Sequence, residues 1–182
     1  MSVLGQRLLA VHDALRGRRI PHAFGGAIAL AYCTEEPRGT RDLDVNVFVA
    51  PADAASVLAA LPPDVVATDE DQRRIERDGQ ARLWWGDTPI DLFFDVHDFH
   101  RQVGAGVRMV SFLERRVPVL ACTDLAVFKA MFNRTKDWAD IEEMVAAGPL
   151  DSDRALLWLT RLLGPSDEAT LRLAALVDHP KA

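Results

Sequence analysis

The stretch RGTRDLDVNVFV, residues 38–49, contains the clearest strand pattern in the chain and two aspartates beside it. From Leu43 to Val49 every second residue is a leucine or a valine, and the other positions continue the row that carries Asp42 and Asp44. Alternate side chains of a strand lie on the same face. The pattern therefore predicts a strand over residues 43–49 with one apolar face and one face that carries two carboxylates.

Apolar spacing and turn residues divide the rest of the chain into helices and strands. The expected helices cover residues 3–19, 27–33, 52–61, 123–132, 137–147, 151–163 and 167–177. The other expected strands cover residues 22–24, 81–85, 89–96, 108–112 and 117–120, with a hairpin turn at 86–88. This order predicts an α+β fold with a small mixed β-sheet flanked by helices. The core is expected to span residues 1–121, and a helical C-terminal region packed on it to span residues 122–182.

Composition and charge exclude several classes of protein. Hydrophobic residues make up 49% of the chain, which provides enough apolar material for a core. No apolar run approaches the ~18 residues that a membrane span needs, so no membrane partner is expected. The formal net charge of −6 argues against a nucleic-acid-binding polycation. Cys33 and Cys122 are too few for a disulfide framework and lack the spacing of a metal site, which predicts a cytoplasmic protein.

Three aspartates form the candidate metal site. Asp42 and Asp44 would project from one face of their strand, about 7 Å apart. Asp91, in the apolar run PIDLFF at residues 89–94, would supply a third carboxylate from a neighbouring strand and could accept a proton from an attacking hydroxyl. Carboxylate oxygens are the ligands of Mg²⁺, and two ions are expected, with Mn²⁺ as the alternative metal. The alternative for Asp91 is a salt bridge to one of the many arginines, and Asp95 is a rival third carboxylate of the same strand parity.

Gly25 and Gly26 fall between an expected strand and an expected helix. Glycine lets the backbone approach a phosphate closely, and the N–H groups at a helix N-terminus can point at it. A pair of glycines alone is common in turns. The position of this pair, 17 residues before Asp42 (42 − 25 = 17) with one helix between, favours a phosphate-binding role.

The runs GGAIAL at residues 25–30 and RGTRDLD at residues 38–44 together resemble the signature of the DNA polymerase β-like nucleotidyltransferase superfamily. Their form is most similar to the minimal and abortive-infection (AbiEii-type) bacterial enzymes, which include toxins of toxin–antitoxin pairs. Antibiotic-modifying nucleotidyltransferases share the core. The resemblance implies that Arg38 and Thr40 help the two glycines to position a nucleoside triphosphate such as ATP. Many members have Gly-Ser where this chain has Gly-Gly, so here the backbone must hold the phosphate.

The segment FKAMFNRTKDWADI, residues 128–141, is similar to later motifs of the same family. The resemblance implies that Lys129 contacts nucleotide phosphates and that Arg134 and Lys136 make secondary phosphate contacts. It also implies that Asp137 or Asp140 is the later acidic position, and it does not decide between them. The alternative is a helix N-terminus with ordinary capping and ion pairs.

These features predict a nucleotidyltransferase that moves a nucleoside monophosphate from an NTP to an acceptor hydroxyl and releases pyrophosphate. A toxin-like enzyme would modify RNA, such as tRNA, or a protein, and would have a cognate antitoxin as partner. A resistance enzyme would modify an aminoglycoside or a lincosamide. A non-catalytic nucleotide-binding module is a further alternative.

We assign the histidines no phosphate-binding or metal-binding role. His22 precedes the glycines, but a histidine at a strand end is more often structural than a phosphate ligand. His97 and His100 lie at an expected helix start next to Asp98, and zinc there would lack a nearby cysteine or third ligand.

Overall fold

The computed structural model describes residues 2–36 and 39–178. They form two compact units, the first comprising residues 2–28 and 39–119 and the second residues 29–36 and 120–178. Within these ranges, every helix is too short or too polar to cross a lipid bilayer.

Helices and strands follow the predicted order, with most boundaries within three residues of the prediction. The helices are α1 (Val3–Gly17), α2 (Gly26–Thr34), α3 (Ala54–Ala60), α4 (Asp69–Asp78), α5 (Asp98–Ala105), α6 (Cys122–Phe132), α7 (Thr135–Ala147), α8 (Ser152–Leu163) and α9 (Glu168–Asp178). The strands are β1 (His22–Phe24), β2 (Leu43–Val47), β3 (Gln80–Trp85), β4 (Thr88–Phe94), β5 (Arg108–Phe112) and β6 (Arg115–Val119). The predicted α+β class is confirmed.

The six strands form one mixed sheet in the order β3-β4-β2-β1-β6-β5. β2 runs antiparallel to β1 and parallel to β4, while β1 runs parallel to β6. The outer pairs β3–β4 and β5–β6 are antiparallel hairpins. Because β1 and β2 run in opposite directions, the end of β1 and the starts of β2 and β4 meet at one edge of the sheet.

The neighbouring strands β2 and β4 are the apolar centre of the sheet. Their core residues occupy alternate positions and are fully buried: Leu43, Val45, Val47, Ile90, Leu92 and Phe94. Burial of each such side chain contributes about 1.5–3 kcal/mol. A slip of one residue in register would turn all of them out of the core. The aspartates between them are therefore held in register, with Asp44 opposite Asp91.

Helices α4 and α5 are both missing from the predicted elements, and α4 shows why. Of its ten residues only Ile75 is buried, so the apolar repeat that identifies most helices is missing. A capping box starts the helix instead, in which Thr68 and Asp71 exchange side-chain and backbone hydrogen bonds. Two of its arginines, Arg73 and Arg77, lie on the exposed face.

In the second unit, α6 packs against α7, α8 and α9. Nearly every residue from Cys122 to Ala130 is buried, as expected for a helix surrounded on all sides. Asp124 is one of the acidic residues inside this core: it is fully buried and accepts a hydrogen bond of 2.6 Å from Arg154 of α8.

Cys33 of α2 and Cys122 of α6 form a disulfide within the second unit, with Cα atoms 5.5 Å apart. The sequence reading, which expected no disulfide and a reducing cytoplasm, missed this bond. The two residues are 89 positions apart, and only the packing of the helices brings them together. Disulfides are rare in reducing compartments, so the cytoplasmic location stays a prediction.

Loss of the disulfide should lower stability. A cross-link that closes a loop of 89 residues restricts the unfolded chain and is worth about 4 kcal/mol in the chain-entropy view. Urea denaturation should show a fall of this order in the free energy of unfolding for the double variant Cys33→Ala/Cys122→Ala. Reductant should shift the midpoint of the wild type towards that of the double variant and leave the double variant unchanged. A wild type with fully reduced thiols and an unchanged midpoint would contradict the expected role.

Candidate active site

The end of β1 and the start of β2 bring the predicted glycines and aspartates together in the first unit. The Gly25 N–H donates a hydrogen bond of 2.9 Å to the backbone carbonyl of Asp44. This bond continues the β1–β2 ladder, in which Phe24 pairs with Val45. It fixes the backbone of the Gly-Gly turn against the strand that carries Asp44.

Gly26 forms the closest contact of the site. Its φ is +50°, in the left-handed region, and it starts helix α2. A Cβ at this position would lie 1.8 Å from Oδ2 of Asp44 and 2.6 Å from its Cγ. The Asp44 carboxylate thus occupies the space that any larger residue would need. Two separate constraints, the backbone conformation and this contact, require glycine at position 26.

Asp42 precedes β2 and is held by Thr40. The Thr40 hydroxyl donates a hydrogen bond to the Asp42 carboxylate, and the Asp42 N–H lies 3.4 Å from the same hydroxyl oxygen. Asp42 and Thr40 are both half-buried. Thr40 therefore contacts Asp42. The sequence analysis had assigned Thr40 a contact with the triphosphate. Arg38, the other residue of that prediction, lies outside the described residues.

Asp91 carries an ion pair with Arg82 across the β3–β4 hairpin. The guanidinium donates two parallel hydrogen bonds of 2.7 Å, from Nε to Oδ1 and from Nη2 to Oδ2. The Asp91 side chain is 14% exposed and that of Arg82 is 52% exposed. The salt bridge that the sequence left open as an alternative for Asp91 is therefore present, and its partner is Arg82.

One guanidinium thus faces three carboxylates. The hydrogen bond and charge of Asp91 raise the pKa of Arg82 above its usual range, and the nearby charges of Asp42 and Asp44 raise it further. A positive charge is what such an acidic cluster needs, because clustered carboxylates repel one another. In the protein alone, Arg82 supplies that charge.

Arg82 is the site residue that the sequence reading did not name. A signal for it exists, since a hairpin with Trp85 opposite Thr88 also places Arg82 opposite Asp91. Directly opposed residues of opposite charge form a favoured cross-strand pair. The turn predicted at residues 86–88 is one residue too long for this register and would place Leu83 opposite Asp91, so the prediction missed the pair.

The carboxylates at this edge are oxygen donors of the kind that Mg²⁺ prefers. Mg²⁺ in phosphate-handling sites is commonly held by one or two carboxylates together with the substrate phosphates, and not by an all-protein cage. Asp42 and Asp44 fit that requirement. Asp91 could bind the metal only if Arg82 moved away, because both of its carboxylate oxygens accept hydrogen bonds from the guanidinium. Consistent with this pairing, no cluster of three or more histidine, cysteine or acidic side chains arranged for a metal occurs within residues 2–36 and 39–178.

The second unit contains a buried ion cluster formed by the later motif. The Lys129 ammonium lies 2.5 Å from a carboxylate oxygen of Asp140 and 3.5 Å from one of Asp137. Arg134 donates hydrogen bonds of 2.6 and 3.1 Å to Asp137. Burial raises the pKa of Asp137, but the hydrogen bond from Arg134 and the charge of Lys129 outweigh it, so the pKa is lower than usual. Lys136 is exposed on α7.

These contacts are the ordinary ion pairs that the sequence left open as the alternative for this segment. They bind Asp137 and Asp140 to the same ammonium group, which explains why the sequence could not choose between them. Lys129 is 8% exposed and neutralises both acids. The phosphate roles inferred for Lys129, Arg134 and Lys136 from the family resemblance stay predictions.

His97 and His100 lie apart from this chemistry. His100 is buried, its Nε2 lies 3.4 Å from Oδ1 of Asn46, and burial lowers its pKa to about 4. The histidine is therefore neutral near pH 7 and has a structural contact.

Comparison with known proteins gives a clear result for structure and none for sequence. No protein-family model and no curated protein matches the chain. The solution structure of the antibiotic-resistance factor ANT(2″)-Ia aligns with a TM-score of 0.62 at 12% identity, over 97% of this chain and 96% of that one. Its crystal structure with adenylyl-2″-tobramycin aligns with a TM-score of 0.63 at 11% identity, over 96% and 98%. An antigenic nucleotidyltransferase-like protein from Paracoccidioides brasiliensis aligns with a TM-score of 0.50 at 17% identity, over 94% of each chain.

The chain has the nucleotidyltransferase fold. The alignments cover nearly the whole length of both partners, so the helical C-terminal part is included as well as the sheet. At identities of 17% or less they concern the fold alone. The particular similarity to AbiEii-type enzymes rests on the sequence motif.

Substitution of Gly26 by alanine should damage the site and the fold together. The new Cβ would overlap the Asp44 carboxylate, and the alanine would have to adopt a positive φ. Together these effects should lower the free energy of unfolding by about 1–3 kcal/mol. Thermal denaturation of Gly26→Ala measures this cost. The matched control is Gly17→Ala, since a Cβ at Gly17 meets no atom within 4 Å. Equal stability of the two variants would contradict the contact between Gly26 and Asp44.

Proposed function

We propose that this protein is a metal-dependent nucleotidyltransferase, which moves a nucleoside monophosphate from an NTP to an acceptor hydroxyl. The observation that carries the proposal is the packing of the Asp44 carboxylate on Gly26, at the start of helix α2. Asp42 lies beside it, and the chain has a nucleotidyltransferase fold. Carboxylates for a metal and a helix N-terminus for a phosphate meet there at one edge of the sheet.

Asp42 and Asp44 would hold the metal, with Mg²⁺ as the expected ion and Mn²⁺ as a substitute. Asp91 would join them when Arg82 releases it, and in that state two ions could be accommodated. The metal would neutralise charge on the triphosphate and on the oxygens between which the nucleotidyl group moves.

The first turn of α2 would bind the phosphates. The N–H groups of a first helical turn have no partner within the helix and carry the positive end of its dipole. Because Gly26 has no side chain, the Asp44 carboxylate, and with it a bound metal, can lie close to those groups. The Gly25 N–H is already bonded to Asp44, so its role is to fix the turn.

In the reaction, the acceptor oxygen forms a bond to the α-phosphorus, and the bond from that phosphorus to the β-bridging oxygen breaks. Pyrophosphate leaves with the bonding electrons. The hydroxyl proton passes to a carboxylate oxygen of Asp91 that Arg82 no longer occupies. Alignment of these groups and electrostatic stabilisation provide the rate acceleration.

A cationic amino sugar is the acceptor that the charge of the protein favours. The net charge of −6 attracts polycations and opposes a polyanion such as RNA. The structural neighbour ANT(2″)-Ia has been captured with an adenylylated aminoglycoside, and its whole length aligns with this chain. We therefore infer an aminoglycoside-like acceptor for this protein.

RNA or a protein hydroxyl is the second candidate acceptor, and the Gly-Gly and Arg-x-Thr-x-Asp-x-Asp motifs favour it. These residues resemble the toxin-like branch, for which a cognate antitoxin would be the partner. A catalytically inactive nucleotide-binding module is the remaining alternative. Transfer of label decides among the three.

The decisive assay incubates the purified protein with Mg²⁺ and each labelled NTP, together with an aminoglycoside and lincosamide panel or with total RNA. We expect label in an aminoglycoside. Asp44→Asn should reduce the transfer rate by at least about 10²-fold, because it removes a charged metal ligand at the reacting phosphate. Asp64→Asn is the matched control, since Asp64 is an exposed aspartate of the same unit.

Label in RNA alone would move the protein to the toxin-like class. Absence of transfer to any acceptor, with Mg²⁺-dependent NTP binding retained, would favour the binding module. Equal activity of the two aspartate variants would contradict the assigned site.

Arg82 should compete with the metal for Asp91. Replacement by methionine keeps the aliphatic stem but removes the charge that holds both Asp91 oxygens. Mn²⁺ binding, measured by electron paramagnetic resonance of the free ion, should tighten by up to about fivefold, the equivalent of a half-exposed ion pair. Arg73→Met, on the exposed face of α4, should leave Mn²⁺ affinity unchanged. Weaker binding in Arg82→Met would show that the arginine supports the metal site.

A further inference from the structure

A basic groove of about 560 Å³, open to solvent, lies in the first unit. Its walls come from the second half of α1, the connection from α1 to β1, and the hairpin formed by β5 and β6. The residues that line it include two histidines and three arginines: His12, His22, Arg16, Arg19 and Arg116. The acidic residues of the candidate active site are absent from this lining.

The two histidines form a buried pair whose proton positions follow from their partners. Nδ1 of His22 lies 2.8 Å from the Ile20 carbonyl, which can only accept, so this nitrogen carries a hydrogen. In the neutral ring Nε2 of His22 is then an acceptor, and His12 Nδ1, at 2.9 Å, donates to it. The remaining nitrogen of neutral His12, Nε2, consequently has a lone pair and no hydrogen.

His12 Nε2 is a buried polar atom with an unmet requirement. His12 is 3% exposed, and no hydrogen-bond partner for Nε2 occurs among the residues that the structure describes. A buried polar group without a partner costs free energy, so such a group in a groove wall indicates a ligand. The lone pair cannot accept a hydrogen bond from an anion that carries no hydrogen, such as sulfate or a phosphate monoester dianion, but a protonated Nε2 could donate to one.

The charges around the groove favour an anion. Arg16 and Arg19 come from α1 and the turn after it, and Arg116 comes from β6, where it donates to the Met109 carbonyl at 2.8 Å. The nearest acid, Asp13, lies on the same helix and is paired with Arg115 at 2.5 Å. The C-terminal end of α1 opposes an anion with about half an elementary charge, which three guanidinium groups exceed.

We propose that this groove binds a phosphate monoester dianion, held by Arg16, Arg19 and Arg116 and by a protonated His12 that donates from Nε2. Binding is coupled to uptake of one proton. His12 becomes an imidazolium that donates from Nδ1 to His22 and from Nε2 to the anion. The orphaned nitrogen gains a partner in the same step.

Proton coupling gives the site a pH dependence. Burial lowers the pKa of His12, Asp13 raises it, and the charges of Arg16 and Arg115 lower it, with a net decrease. Burial also lowers the pKa of His22, while its bond to Ile20 raises it and His12 lowers it. Without a ligand, the rings of His12 and His22 are therefore neutral near pH 7. A bound anion must offset the free-energy cost of protonating His12. Affinity rises as the pH falls.

The groove is separate from the proposed nucleotide site. His22 begins β1 and Gly25 follows its end, so the two sites are associated with opposite ends of one strand. The inference does not depend on nucleotidyl transfer, and failure of either proposal leaves the other intact.

Sulfate and inorganic phosphate are the probes, measured by calorimetric titration of the full chain at low ionic strength from about pH 6 to about pH 8. Sulfate keeps its charge over this range, so its pH dependence reports the protein alone. We expect sulfate binding to weaken as the pH rises, and the ring nitrogen resonances of His12 to change to the imidazolium pattern on binding. Phosphate should compete with sulfate for one site.

The variant Arg16→Gln/Arg19→Gln should weaken sulfate binding by about tenfold or more. Arg73→Gln/Arg77→Gln on α4 makes the same change in net charge elsewhere and should bind as the wild type does. Equal loss in both double variants, or an unaltered His12 signal at saturation, would overturn the proposal. A further test uses an oligonucleotide without terminal phosphates. If it binds this groove and inorganic phosphate does not compete with it, the proposal is overturned and the groove is instead a site for a nucleic-acid backbone.

Discussion

The contact between the Asp44 carboxylate and the Cα of Gly26 is the constraint on which the rest of the site depends. It requires glycine, because a Cβ would lie 1.8 Å from a carboxylate oxygen. It also requires that β2 stay in register, since a slip of one residue would point Asp44 into the core and Val45 at the glycine. The buried leucine, valine and isoleucine side chains of β2 and β4 fix that register. The apolar core and the acidic edge are thus two faces of the same pairing.

Charge balance is the second principle of the site. Three carboxylates at one sheet edge repel one another, and Arg82 offsets that repulsion by a two-point bond to Asp91. A half-exposed pair of this kind contributes at most about 1 kcal/mol to stability, so its larger effect is to set which cation the carboxylates hold. A doubly charged metal that arrives with a triphosphate can replace a single guanidinium. The buried cluster of Lys129, Asp137 and Asp140 follows the same logic in the second unit.

Much of this could be predicted from the sequence, because the decisive interactions are local. The alternation in β2, the position of the Gly-Gly pair and the hairpin turn at residues 86–88 are all patterns of near neighbours. They predicted the mixed sheet and neighbouring strands for Asp44 and Asp91, and the structure places these two residues opposite each other. Helix α4 was missed because it buries only Ile75 and starts from a capping box, so it lacks an apolar repeat. The disulfide between Cys33 and Cys122 depends on packing across 89 residues, which no local pattern encodes. The Arg82–Asp91 pair lies between these cases, since it follows from the hairpin register once the turn is known.

The most direct test of the account places a paramagnetic metal at the site and observes the glycines. In ¹⁵N-labelled protein with Mn²⁺ and a non-hydrolysable NTP, the amide signals of Gly25 and Gly26 should broaden at the lowest metal concentration, before those of exposed acidic segments such as α4. The same titration of Asp44→Asn should leave both glycine signals sharp until much higher Mn²⁺ concentrations. Broadening that begins elsewhere, or that is the same in both proteins, would contradict a metal site built from Asp42 and Asp44 against Gly26.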